Sequence, residues 1–277
     1  GPSGVRGAKW DERFKSLTLP SATCVAATWD LALAHDIGAV TAAEARSKGV
    51  DVVLGPTLNL HRSPRGGRHF EAYSEDPYLS GKLAAAYIRG IQENGVAATP
   101  KHYVANDSEN ERMTVDIQVD EQTLHEVYLA PFEMAVREAN AWALMVSYNK
   151  INGTTATENT LLDDPLRSQW GFDGVAVSDW TAVRSVRESA RAALDLAMPG
   201  PQTPWSEGLV AAVEAGEIPE QVIDKKIANI LRLADRVGAL ANSQPKPVQQ
   251  IEGRSKIREV AAAGFVLLEN NGVLPIN

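Results

Sequence analysis

A handful of short runs in this sequence hold side chains able to do chemistry on a polar molecule: Ser178-Asp179-Trp180, Pro100-Lys101-His102, Tyr148-Asn149, Pro199-Gly200, and a loop carrying Arg62, Arg65 and Arg68. A carboxylate, cations, an imidazole and a phenol together can bind hydroxyls, act as nucleophile, or move protons. Each also has a plain structural role. An aspartate at a strand end serves equally well as the cap of the helix that follows. Lys101-His102 alone reads as a surface pair, and Arg68 alone as an ion-pair partner of Glu71 or Glu75. Trp180 suits a core, and Tyr148 a rim. Position favours the chemical reading: each run follows a β-prone segment, and in a parallel α/β fold such positions meet on one rim.

Other candidates carry less. His35 and Asp36 fall in a helical stretch. His61 lies in the arginine-rich loop, and His125 stands four residues after Glu121 with no metal-ligand spacing. Gly66-Gly67 is followed by no Lys-Ser/Thr of a phosphate loop, and there is no Gly-x-Ser-x-Gly elbow. No metal and no cofactor is implied.

The elements that must position these groups alternate. Strands are predicted at Thr23–Ala27, Val50–Leu54, Val96–Thr99, Ala143–Ser147, Gly174–Val177 and Leu194–Met198. Helices are predicted at Leu31–Ser47, Pro77–Asn94, Glu121–Ala139, Leu161–Gln169, Thr181–Ala192, Ser206–Ala215 and Pro219–Val237. Asp120 and Asp76-Pro77 supply helix starts, and Pro131 kinks its helix or divides it into segments. Strand–helix alternation predicts an α/β fold with a parallel sheet, of (β/α)8 TIM-barrel type. About six units are visible where a closed barrel needs eight, so the expectation is a barrel incomplete at its N-terminus. Residues 1–238 form that barrel, and 239–254, with Pro245 and Pro247, read as a linker. Residues 255–277, with a helix at Ser255–Glu269, read as the start of a second domain cut short.

Totals bound the possibilities. The chain has 277 residues, 44% of them hydrophobic, enough for a substantial core. A formal net charge of -8 argues against a nucleic-acid partner, since phosphate neutralisation needs clustered cations, but leaves a neutral ligand open. The single cysteine, Cys24, can form no internal disulfide and reads as a buried small hydrophobe. No apolar stretch approaches the roughly 20 residues of a membrane span. Gly1–Gly7 lacks the apolar core of a signal peptide, and localisation is not readable.

Taken in order, the motifs resemble glycoside hydrolase family 3 of the β-glucosidase type. The similar segments are Gly1-Pro2-Ser3-Gly4-Val5-Arg6, Leu54-Gly55-Pro56, Gly67-Arg68-His69-Phe70-Glu71, Ser74-Glu75-Asp76-Pro77-Tyr78, Lys101-His102-Tyr103, Met145 with Ser147-Tyr148-Asn149, Trp170-Gly171-Phe172, Ser178-Asp179-Trp180 and Met198-Pro199-Gly200-Pro201. The resemblance spans nearly the whole chain. It implies retaining hydrolysis of terminal β-D-glucosyl residues from β-glucosides or cello-oligosaccharides, as in cellulose breakdown, with Asp179 as nucleophile. Arg68, Lys101 and His102 would bind sugar hydroxyls. Arg6 and Tyr148 would shape the first subsite with Met145 packed nearby, and Trp180 would wall it. Hydroxyl contacts that tighten in the transition state lower the barrier.

The chain departs from the family in two places. The aspartate that precedes Gly1 in the family is absent, and so is the later region that supplies the general acid/base glutamate. A retaining mechanism needs paired carboxyls about 5–5.5 Å apart. Glu71, Glu75, Glu109 and Glu111 lie in loops near the site, yet none matches the family's acid/base position. The expectation is a fragment that turns over natural β-glucosides poorly alone and whose partner is the missing C-terminal domain. A β-xylosidase or dual-specificity glycosidase stays open, because one hydroxymethyl group changes binding by little. So does a non-catalytic sugar-binding barrel.

Overall fold

Backbone N–H groups left over at helix starts decide where several elements begin. Asp30 accepts from the N–H of Ala32 and Leu33 and opens a long helix, Leu31–Ser47. Asp76 accepts from Leu79 N–H ahead of Pro77 and opens Pro77–Gln92. These helices cross at glycines: a Cβ on Gly90 would collide with the carbonyl oxygen of His35, and one on Gly38 with that of Tyr87. Only hydrogen side chains let the two backbones approach so closely.

The computed structural model of the chain describes Val5, residues 16–241 and residues 252–276. Its helices are α1 (Ala22–Ala27), α2 (Leu31–Ser47), α3 (Pro77–Gln92), α4 (Glu121–Thr123), α5 (Ala130–Arg137), α6 (Arg187–Arg191), α7 (Ser206–Glu214), α8 (Glu220–Arg236) and α9 (Gly253–Ala263). A π-helical stretch, Leu124–Leu129, joins α4 to α5. It sits just before Pro131, whose ring nitrogen cannot close an α-helical bond, so the predicted Glu121–Ala139 helix is divided. Strands are β1 (Val52–Val53), β2 (Ala97–Ala98), β3 (Lys101–Tyr103), β4 (Asp116–Ile117), β5 (Ala143–Val146), β6 (Lys150–Ile151), β7 (Thr154–Thr155) and β8 (Val175–Ser178).

The fold is α/β. β1 pairs parallel with β2, and Thr57 beyond it bridges to Lys101. β3 pairs parallel with β5, β5 with β8, and Val177 of β8 bridges to Leu196. Each segment thus lies beside its predecessor in the chain, as strand–helix–strand crossovers require. Alternate residues face opposite layers. Leu144, Val146 and Ala176 enter the main core with Leu83 and Ile88 of α3 and Phe132 of α5. Met145, Val175 and Val177 face the other way, onto Ile230 and Leu233 of α8, together with Leu54 and Met198. Helix α8 therefore lies across the second face of the sheet, where a full barrel would place strand side chains alone. A small separate sheet, β4 parallel to β6 and β6 antiparallel to β7, ties the segment after residue 115 to the one after Tyr148.

Several sequence expectations are corrected. Thr23–Ala27 is helix α1: Ser21 caps it by accepting from Cys24 N–H, and the alanines favour helix. Cys24 is half-buried rather than in the core. Leu161–Gln169 holds only a 3-10 turn, Thr160–Leu162, because Pro165 restricts the residue before it. Thr181–Ala192 shrinks to α6, since Thr181 takes a positive φ of 65° that breaks helical continuity. Leu194–Met198 follows β8 but contributes one bridge, at Leu196, before Pro199 removes the next donor. Helix α9 starts at Gly253 and stops at Ala263, short of Glu269. It packs against α1 and α2, with Val260 buried and a 2.7 Å contact from Lys256 Nζ to Asp36, while Phe265 to Leu268 stay exposed.

Candidate active site

Parallel pairing in register carries three chemistry-bearing segments to one edge. Met145 aligns with Lys101, and Val146 with both Tyr103 and Ser178. Two residues past the end of β5 comes Tyr148, and directly past the end of β8 comes Asp179. Asp179 N–H donates to Val146 O at 2.9 Å, so the ladder reaches the carboxylate itself.

Asp179 is 8% exposed. Its Oδ1 accepts from the Tyr148 hydroxyl at 2.9 Å and from Trp180 N–H at 2.7 Å. Its Oδ2 stands 3.6 Å from His102 Nε2. One oxygen is anchored and the other faces the site. The helix-cap reading of Asp179 gains nothing here, because the next helix after it starts only at Arg187.

The cations share one carboxylate. Glu71, buried, pairs with Arg68 Nε, stands 3.4 Å from Lys101 Nζ, and accepts from Thr57 Oγ1 at 3.1 Å. Burial alone would raise the Glu71 carboxyl, but Lys101 and Arg68 outweigh it and hold it below its ordinary value. Burial lowers Lys101 against the pull of Glu71. Arg68 is raised, burial being overcome by Glu71, Glu109 and Asp179. The sequence alternative that Arg68 pairs with Glu71 is thus correct, and that pairing sets Arg68 beside the site.

His102 is 2% exposed. Burial, then the charges of Lys101, Arg68 and Arg112, push its pKa well below the usual imidazole range, so the ring is neutral. Tyr148 is pushed up to about 12 by burial and then by Asp179, which keeps it a neutral donor. Tyr148→Phe removes that donor, and about a tenfold loss in kcat is expected, read by steady-state kinetics. An unchanged kcat would show that the hydroxyl does not orient the carboxylate.

The predicted residues separate into groups. Arg68, Lys101, His102, Tyr148 and Asp179 are brought together. Trp180 is 51% exposed beside them, a free aromatic face at the mouth. Met145 is not among the polar groups; it packs in the apolar layer against α8. Arg6 lies outside the described residues. Glu75 bonds Ser74 within its own loop.

Three residues were not singled out from the sequence. Arg112 sits 5.1 Å over the Tyr148 ring and pairs with Glu109 at 2.8 Å. Asn59 holds the His102 backbone and ring. Asn106 is buried in the same small polar pocket as Asn59 and Arg68. The signal for Asn59 is the polar–apolar alternation in Thr57-Leu58-Asn59-Leu60, all four of which are buried. Arg112 has no such signal.

Asp107 lines that pocket and accepts from Leu60 N–H. Burial raises its pKa from 3.8 to about 6. The folded state therefore favours the protonated form, and the stability this gives below pH 3.8 is lost as pH rises through about 6. Asp107→Asn keeps the acceptor and removes the charge. It should stabilise the protein by on the order of 2 kcal/mol at pH 8 and by almost nothing at pH 4. Thermal melts at the two pH values check this, and a gap independent of pH would refute it.

Among the described residues, no group of three or more His, Cys, Asp or Glu is placed to hold a metal ion. The family model for the glycosyl hydrolase family 3 N terminal domain matches residues 9–233. A β-glucosidase of Rhizobium radiobacter is 48% identical over 281 residues, covering 100% of this chain and 34% of its own length. β-Glucosidase B of Emericella nidulans is 46% identical over 283 residues, covering 100% and 33%. The chain spans about a third of the length of these curated relatives. Among solved structures, β-glucosidase 3B from Thermotoga neapolitana superposes with a TM-score of 0.91 at 36% identity, covering 100% of this chain and 41% of that one. The β-glucosidase from Kluyveromyces marxianus, in complex with glucose, also gives 0.91 at 36%, covering 100% and 34%.

Proposed function

We propose that this chain, which belongs to glycosyl hydrolase family 3, supplies the nucleophile and first sugar subsite of a retaining β-glucosidase, within a parallel barrel of (β/α)8 type short of its full units. The observation that carries it is Asp179: a buried carboxylate with Oδ1 tethered by Tyr148 and Trp180 and Oδ2 free toward the site. That Oδ2 bonds to the anomeric carbon as the bond from that carbon to the leaving oxygen breaks, giving a glycosyl ester. Water then attacks the same carbon and returns the carboxylate, so configuration is retained. Arg68 and Lys101 donate to sugar hydroxyls; Glu71 holds both in place. The names of the relatives favour a β-glucoside over a xyloside.

The proton for the leaving oxygen comes from elsewhere in the parent protein. Glu71 is committed to Arg68 and Lys101, and Glu109 to Arg112. The greater length of the relatives and the exposed apolar run Phe265 to Leu268 support a further domain entered through residues 255–277; most of the segment 239–254 that the sequence suggests as a linker lies outside the described residues.

An activated 2-deoxy-2-fluoro β-glucoside tests the reading. Fluorine slows both steps, and a good leaving group restores only the first, so the ester accumulates. Peptide mass spectrometry of the treated full-length protein should place the adduct on the peptide containing Asp179. Sugar binding with no adduct would indicate a binding module instead.

A further inference from the structure

We infer that Asn59 is a positioning residue that fixes His102 as its Nδ1–H tautomer, leaving Nε2 as a hydrogen-bond acceptor for one sugar hydroxyl. This rests on the glycosidase reading only for the identity of the hydroxyl's owner. The tautomer itself follows from the protein's own bonds.

The order of the bonds matters. An amide side chain can be turned end for end, so its orientation needs an independent anchor. Here the anchor is the backbone of His102. Its N–H, a donor only, points at Asn59 Oδ1 at 2.9 Å, and its carbonyl, an acceptor only, receives Asn59 Nδ2 at 3.0 Å. Turning the amide would set donor against donor and acceptor against acceptor at both contacts. Oδ1 is therefore an oxygen at that position. It lies 2.8 Å from His102 Nδ1. An oxygen at that distance requires Nδ1 to carry the hydrogen. Burial and three neighbouring cations keep the ring neutral, so Nε2 has a bare lone pair.

That lone pair faces Asp179 Oδ2 across 3.6 Å. Neither atom carries a hydrogen, so neither satisfies the other. The opposite tautomer would place a hydrogen on Nε2 and aim it at the oxygen that must attack. By holding the hydrogen on Nδ1, Asn59 keeps Oδ2 unencumbered. It also sets a rule for the ligand: the group meeting Nε2 must donate. A hydroxyl does so. A fluorine of similar size cannot, and it would leave a buried acceptor unpaired.

The test compares wild type with Asn59→Asp in the full-length parent protein, using β-glucosides in which each sugar hydroxyl in turn is replaced by fluorine. The new carboxylate still accepts from the His102 backbone and Nδ1, and it draws a second proton onto the ring, which turns Nε2 into a donor. One position is expected to lose about 10- to 100-fold more kcat/KM in wild type than in the variant. The inductive effect of fluorine is common to both enzymes and cancels in the comparison. Equal losses at every position would overturn the inference. Should the variant not fold, selectively 15N-labelled histidine in the wild-type protein decides, with the His102 signal identified by its absence in His102→Gln. A neutral ring bearing hydrogen on Nδ1 alone is expected; hydrogen on Nε2, or on both nitrogens, overturns the inference. A wild-type protein that hydrolyses no β-glucoside would end the glycosidase reading while the nitrogen spectrum still ruled on Asn59.

Discussion

Asp179→Ala in the full-length parent protein should lower kcat for an aryl β-glucoside by at least about 10⁴-fold. On the proposed mechanism the carboxylate oxygen that would form the ester is lost, and no neighbour can replace it. Glu71 is occupied by two cations and Thr57, and Tyr148, held neutral, is a poor nucleophile. The fold should survive, because Asp179 sits after the end of β8 rather than in the apolar layers. Azide offers a second readout. A small anion can enter the space left by the side chain and attack the anomeric carbon from the same face, giving a glucosyl azide of inverted configuration. Activity within about tenfold of wild type would remove Asp179 from its assigned role.

Glu71→Ala should cost about 3–5 kcal/mol in unfolding free energy at pH 7 and raise KM steeply at the same time. The alanine leaves Lys101 and Arg68 facing each other with nothing negative between them, and the lysine is almost wholly buried. Both must swing outward or stay unpaired, and either outcome removes the sugar-hydroxyl contacts proposed for them. Glu71→Gln separates charge from shape. The Glu71 carboxyl is held below its ordinary value of 4.5 in the fold. The stability it contributes is therefore fully present above pH 4.5 and lost as pH falls through its lower folded value. The gap between wild type and Glu71→Gln should be constant from pH 5 to 8 and close only below about 4.5. Urea titrations across that range check it. A gap that widened in acid would mean that the pair with Arg68 and Lys101 does not hold the carboxyl down.

Much of this was legible in the residues. Helix α2 has the boundaries its pattern predicts, because Asp30 at its start and the apolar spacing behind it act locally. Asp179, Lys101-His102 and Tyr148 could be placed together because parallel strands present their ends to one side. Two kinds of feature were hidden. Short runs such as Thr23–Ala27 are apolar in every reading, and only the Ser21 cap decides for helix. Contacts between distant loops leave no local trace: Arg112 meets Tyr148 from 36 residues away, set there by the pairing of β4 with β6. The covering of one sheet face by α8 is of the same kind, since its amphipathic pattern says that it packs but not on what.

The neutrality of His102 has a consequence over the catalytic cycle. In the resting site Arg68 and Lys101 balance Glu71 and Asp179, and the imidazole adds nothing. On the proposed mechanism, esterification of Asp179 removes one of the two carboxylate charges that face Arg68 and Lys101, while the acid that protonated the leaving oxygen becomes anionic, so charge shifts within the site rather than being lost. On that mechanism breakdown returns the charge: the ester bond to the anomeric carbon breaks, the departing carboxylate takes its electron pair, and the water gives its proton to the same anionic acid. The two cations favour the returning carboxylate, and the neutral His102 leaves that balance to the four charged side chains alone.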